Sequence, residues 1–297
     1  MIFYFITKLQ ALIRYQLFLR GLIFLYVGVI IILPLSALFW KLSQQPIQDV
    51  FPLITSDVAL DAYKLTFGSA LLAALINSVF GLILAWILVR YDFPGKQFAN
   101  GLIDIPLAIP GVVVGITLIS LYSPAGSLGQ FFEPDSFFGQ FLQIFGIEEV
   151  NLTSSLIGIL LAQIFVTLPF VVRTVQPVLT EFDQEIEEAA MILGATPWQC
   201  FWKVIFPQIL PALLTGFSLA LARGIGEFGV VFLISGNIPN ETLMATVYIY
   251  QRLEQFDFAG ATAVAIVLLI FALILLVCAG ILQRWSNRYS DNTLEIS

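Results

Sequence analysis

The residue types that could do covalent or metal chemistry are nearly absent from this chain. There is no histidine, and the two cysteines, Cys200 and Cys278, fall far apart in different segments. A zinc site needs several Cys, His or carboxylate ligands, and a thiol nucleophile needs a base beside it. Both are excluded within the chain, and the two thiols read as space-filling groups. The nearest approach to a phosphate loop is Pro94-Gly95-Lys96-Gln97. That loop requires G-x-x-x-x-G-K-[ST]; here Arg90 takes the place of the first glycine and Gln97 that of the Ser or Thr. Charges remain. Arg223 and Glu227 are four residues apart, on one face of a helix. An unpaired charge at the centre of a bilayer costs about 2.5–3.5 kcal/mol on insertion scales. Two readings fit the pair: Arg223 lines an anion path with Glu227 holding it or gating, or the pair fixes helix packing. A path for a dianion must avoid a deep attractive well, which argues against Arg223 as a high-affinity site.

The elements that position these charges are membrane spans. Apolar residues are 59% of the 297 and charged residues 11%, against roughly a quarter charged in soluble domains, and mean hydropathy is +0.95. The net charge of −7 and the lack of a basic patch with interleaved aromatics exclude a nucleic-acid partner; the partner that composition requires is membrane lipid. About 20 apolar residues cross the hydrocarbon core. Six stretches qualify: 22–40, 65–88, 102–122, 155–172, 210–234 and 261–283. The first lacks a small-residue cleavage site and reads as a retained span rather than a signal peptide. Lys8, Arg14, Arg20, Arg90, Lys96, Arg173, Lys203, Arg284 and Arg288 fall on one side of these spans. Lys41, Lys64 and Arg252 fall on the other, where the 123–154 loop carries Glu133, Asp135, Glu148 and Glu149. The positive-inside rule then puts both termini in the cytoplasm. The fold class is all-α, a polytopic membrane protein of six transmembrane helices. It divides into a 1–60 tail, first span and external loop, a 61–285 core, and a 286–297 tail.

Inside the membrane, Gly216, Ala220 and Gly224 form a small-residue stripe that permits close helix approach; Gly226 and Gly229 give the fifth span a flexible or irregular outer half, and these small residues read first as ordinary packing and second as a hinge. Pro106 and Pro110 each remove a helix hydrogen bond, which predicts a break near the start of the third. Asp104 reads as a headgroup-level residue or a cap. Gly236–Pro239 is a turn or an external contact.

The cytoplasmic loop 180–211 reads as two short helices. Thr180-x-x-Asp183 is a weaker capping pattern, and Ile186, Ala190 and Leu193 share a face. Gly194 suits the left-handed position that ends a helix. Thr196 caps the second helix, with Pro197 in its first turn and Gln199 completing the box. Trp198, Phe201, Trp202 and Ile205 follow at helical spacing, and Pro207 is read as closing the helix. The apolar face suits docking to another protein or resting on headgroups. Five acids, Glu181, Asp183, Glu185, Glu187 and Glu188, weaken the lipid reading, because anionic lipids repel them.

The spacing Glu188-Ala189-Ala190, three residues, Gly194, nine residues, Val204-Ile205-Phe206-Pro207 resembles the E-A-A-x3-G-x9-I-x-L-P loop of ABC importer permeases. Val204 replaces the usual Ile and Phe206 the usual Leu. Further segments resemble the sulfate/thiosulfate permeases of the CysT type: AYKLTFG at 62–68, LVRYDFPGK at 88–96, DIPLAIP at 104–110, RGIGEFG at 223–229, ISGNIP at 234–239 and RLEQFDFAGA at 252–261. Residues 110–115 also resemble molybdate permeases, which leaves a molybdate or other oxyanion importer as the alternative to sulfate. A secondary anion carrier would need no ATPase dock, and the loop discriminates against it.

The resemblance implies the type I ABC importer permease fold and a non-catalytic transport subunit. The implied location is the cell inner (plasma) membrane, or the chloroplast inner envelope if the chain is plastid-encoded. It implies that Glu188, Ala189, Ala190, Gly194 and Pro207 belong to a coupling helix seated on an ATPase. Implied partners are a homologous CysW-type permease, two ATP-binding subunits that hold ATP and magnesium, and an extracytoplasmic sulfate-binding protein. The chain itself needs no cofactor.

Overall fold

The computed structural model describes residues 19–144 and 151–294; Lys8, Arg14, Glu148 and Glu149, used above for orientation, lie outside them. Every regular element among the described residues is helical. The helices are α1 (Leu19–Ser43), α2 (Ile47–Ile54), α3 (Asp57–Arg90), α4 (Lys96–Ala108), α5 (Gly111–Tyr122), α6 (Phe137–Ile144) and α7 (Leu156–Glu181). They continue with α8 (Gln184–Ile192), α9 (Pro197–Ile225), α10 (Gly229–Ile234), α11 (Ala245–Glu254) and α12 (Phe258–Leu294). By length and composition α1, α3, α7, α9 and the Phe258–Ile281 part of α12 can each cross a membrane. The pair α4 and α5 makes a sixth crossing if its bent halves are counted together.

The centre of the bundle is α3, α7 and α9. Helix α3 begins where Ser56 Oγ accepts the Ala59 N–H and buries a line of small residues, among them Ala59, Ala62, Ala70, Ala74, Gly81 and Ala85. The expected stripe of Gly216, Ala220 and Gly224 is buried against it and against α7. A Cβ at Gly216 would stand 2.3 Å from Thr174 Oγ1 and 2.8 Å from Val171 Cα. Without water to drive association, this proximity gives the helices their dispersion contacts. A polar seam adds direction: Asn77 donates to Ile164 O and Thr167 Oγ1, Thr167 donates to Gln163 O, and Gln163 donates to Gly224 O, at 2.7–3.2 Å.

Three expectations are corrected. The third span is two helices meeting at 114°, because Pro110 cannot donate and the residue before it takes extended backbone (Ile109 ψ 134°); the proline signal was right and the straight 102–122 span was not. The fifth span is displaced toward its start. Pro207 does not close a helix: α9 runs from Pro197 through it to Ile225. A π-helical turn over Phe201–Ile205, where the Phe206 N–H bonds back to Phe201 O, widens the helix just before Pro207 and absorbs the missing donor. The residues expected to continue this span, 229–234, form the separate α10. Finally, Arg173 is not in a loop. Helix α7 continues to Glu181, so Arg173 stands eight residues before its end, about 12 Å along the axis.

Gly216→Leu is expected to break the α9–α7 contact, because the first obstacle to a Cβ beyond Thr174 is backbone. The overpacking cost is about 1–3 kcal/mol. Thermal unfolding in detergent should show Gly216→Leu well below the wild type and Gly216→Ala between them.

Candidate functional site

Two regions collect the residues singled out by sequence, the α8 hairpin at one end of the bundle and the paired helix breaks within it. The hairpin is built by local rules. Asp183 caps α8 by accepting the Glu185 N–H at 2.9 Å, whereas Thr180 bonds back to Gln176 O inside α7. Gly194 ends α8 in the left-handed region, φ 88°, with Ala195 N–H returning to Ala190 O at 3.0 Å. Thr196 and Gln199 form the reciprocal box at 3.3 and 3.0 Å. Glu188, Ala189, Gly194 and Pro207 are exposed and Ala190 half-buried. The apolar tip points outward: Ile192 is 85% exposed, Leu193 88% and Trp198 71%.

The rear of the hairpin is fixed to the bundle. Glu187, on α8, ion-pairs with Arg90 at the last turn of α3, and both side chains are largely buried. The Arg90 guanidinium lies 5.1 Å from the Trp86 ring centre and 5.8 Å from that of Phe182. Trp86 meets Phe201 edge to face at 5.5 Å, and Cys200 fills the space behind as a buried thiol. Glu187, rather than the motif's Glu188, therefore holds the hairpin from within, leaving Glu188 facing out. No local spacing signals a pair 97 residues apart.

Deeper in the bundle the two breaks meet. The gap between α4 and α5 places Gly111 beside Gly229, across the gap between α9 and α10. A Cβ at Gly229 would stand 3.1 Å from Val112 N and 3.2 Å from Gly111 C. Glu227 lies in this crossing, 1% exposed. Its Oε1 accepts the Val230 N–H at 3.0 Å, its carbonyl accepts from Thr246 Oγ1 at 2.8 Å, and its Oε2 ion-pairs with Arg223. The structure thus brings the predicted pair together, with unequal burial: the Arg223 side chain is 39% exposed and that of Glu227 2%. Arg223 makes no other polar contact among the described residues.

A second guanidinium has the opposite character. Arg173 Nε and Nη2 grip the Asp104 carboxylate at 2.7 and 2.6 Å. Its Nη2 also donates to Asn100 O at 2.7 Å, and its Nη1 to Asn100 Oδ1 and Gln176 Oε1 at 2.8 and 2.6 Å. All five of its N–H groups are engaged. Asp104, expected as a cap or a headgroup residue, is the partner of an arginine on another span. At the far end of the molecule Asp257 accepts from the Gly260 N–H and from Arg252 at 2.9 and 2.6 Å. The Gly260 amide first, and Arg252 after it, hold the Asp257 carboxyl below its usual range. The 236–239 segment is a turn in which Gly236 and Asn237 take positive φ.

No cluster of His, Cys, Asp or Glu among the described residues has the makings of a metal site. Residues 77–289 match the family described as "Binding-protein-dependent transport system inner membrane component". The chain belongs to this family. It is 46% identical over 265 residues to a "Sulfate transport system permease protein CysT" of Synechococcus elongatus, covering 89% of this chain and 91% of the relative. Over 268 residues it is 44% identical to the protein of that name from Escherichia coli, covering 90% and 92%. Its fold matches a chain of a bacterial ABC transporter involved in the import of the acidic polysaccharide alginate, with TM-score 0.71 at 19% identity over 93% of this chain and 98% of that one. The fold is therefore that of the type I ABC importer permeases, and an inner-membrane transport component is the family-level identity of the chain.

Glu187→Ala would leave Arg90 without its counter-ion in a mostly closed site. The expected loss is on the order of 2 kcal/mol, below the cost for a fully buried pair because some exposure remains. Hydrogen exchange should show faster amide exchange over 184–192 with the spans unchanged.

Proposed function

We propose that this chain is a membrane-channel subunit of an ATP-driven sulfate importer. The α8 hairpin seats on an ATPase partner, and Arg223 lines the anion path. The observation that carries the reading is the hairpin itself: a capped apolar tip turned outward, fixed at the rear to α3 by an ion pair and aromatic contacts. A lipid-embedded bundle gains nothing by exposing Ile192, Leu193 and Trp198 on an acid-rich hairpin unless another surface covers them. The sulfate assignment rests on the relatives' names and on their near full-length identity.

In this reading the hairpin faces the cytoplasm, as the lysine and arginine distribution requires. A homologous permease completes the channel, two ATPases bind and hydrolyse ATP with magnesium, and an extracytoplasmic binding protein delivers sulfate. ATP binding closes the ATPases, displaces the hairpin and turns the cavity outward; hydrolysis resets it. Differential contact in the two states, rather than tight binding, moves the anion. Arg223 suits that role because one carboxylate holds it and part of its guanidinium remains open. Sulfate would compete with Glu227 for it, which keeps the well shallow.

Two outcomes test this. In proteoliposomes holding the full complex, Glu188→Arg and Gly194→Trp should insert normally and lose most ATP-driven sulfate uptake; unchanged uptake would remove the docking role. Arg223→Ala should cut uptake at least tenfold and Arg223→Lys less. Normal transport by both would end the anion-path assignment. Radiolabelled sulfate with molybdate as competitor separates the two oxyanions.

A further inference from the structure

We propose that Arg173 is a positioning residue that makes α4 and α7 one rigid body, so that displacement of the α8 hairpin is delivered to the break at Pro110. This deepens the proposed function and rests on it. Three observations converge. First, α7 ends at Glu181 and α8 begins at Gln184, so the hairpin and α7 are joined by two residues, Phe182 and Asp183. Phe182 is buried and Asp183 is the α8 cap, so the joint has little slack. Second, α4 has no buried residue and packs chiefly on α7. Ala99 and Ile103 rest half-buried against the core, and the directional, polar part of the attachment is made by Arg173 through Asp104 and Asn100. Third, α4 leads directly into the break whose far side, Gly111, abuts Glu227 and Gly229. A path of contacts thus runs from hairpin to α7, to Arg173, to α4, to the crossing that holds Arg223.

The chemistry of the clamp distinguishes it from an anion site. Arg173 has no donor left to offer a sulfate, whereas Arg223 has. A bidentate guanidinium–carboxylate pair with further bonds to a side chain and a backbone carbonyl fixes orientation as well as distance. The Asp104 side chain is 51% exposed and that of Arg173 30%. Within a span such exposure must face water or another subunit, because lipid would not tolerate it. The clamp therefore stands on a side of the bundle that faces water or another subunit.

Contact alone does not establish coupling, so the test measures sulfate moved per ATP hydrolysed in reconstituted full complexes. Asp104→Ala and Arg173→Ala should lower that ratio about tenfold with ATP hydrolysis retained. The exchange Arg173→Asp with Asp104→Arg should recover a substantial part of it, and Arg173→Lys should fall between. A role in folding alone would reduce the amount of complex and leave the ratio unchanged; that result would overturn the inference. Failure of the underlying sulfate reading is recognised separately, because the wild-type complex would then move no sulfate.

Discussion

A charge inside a lipid-solvated bundle must be paired or wet, and the functional regions of this protein are arranged around that constraint. Three arginines meet it in three ways. Arg90 is enclosed, paired to Glu187 and flanked by the Trp86 and Phe182 rings. Arg173 is saturated by carboxylate, amide and carbonyl oxygens. Arg223 has one carboxylate and an open side. The first fixes a hairpin, the second fixes a helix, and the third is left with unspent hydrogen-bonding capacity. That gradation is what supports the transport role proposed for Arg223, as against the holding roles of the other two.

The breaks in two spans follow from the same constraint. Irregular backbone at membrane depth survives only where protein or water satisfies it. Glu227 and Thr246 satisfy the gap before α10, and the two glycines allow the gaps to meet backbone to backbone. Because α10 has only six residues, its stability comes from contact rather than from helix propensity: Val230 and Ile234 pack into a small core with Val114 and Val166. A crossing of two broken spans suits the alternation between states that the proposed mechanism calls for.

Much of the architecture was legible in the residues. The hairpin could be read almost to its hydrogen bonds, because caps, Gly194 and Pro197 act over three or four residues. The small-residue stripe on α9 and the break near Pro110 were equally local. The errors came where a local signal was outweighed. Pro207 looked like a stop until a π turn accommodated it, and Arg173 looked like a loop residue because a hydropathy window ends at a charge. Within the site, Arg223 and Glu227 were visible at helical spacing, but their unequal burial was not. Arg90–Glu187 and Arg173–Asp104 were invisible as pairs, being 97 and 69 residues apart.

By itself the sequence determined that the chain is solvated by lipid, that its elements are helices, and where those helices are capped or broken. Composition and short-range backbone chemistry decide such matters before any two distant residues meet. Only the tertiary structure decided which charges neutralise one another, which arginine keeps free donors, and how the hairpin is tied to the broken span. Those outcomes depend on helices brought side by side by close packing, and no period along the chain encodes the distance between them.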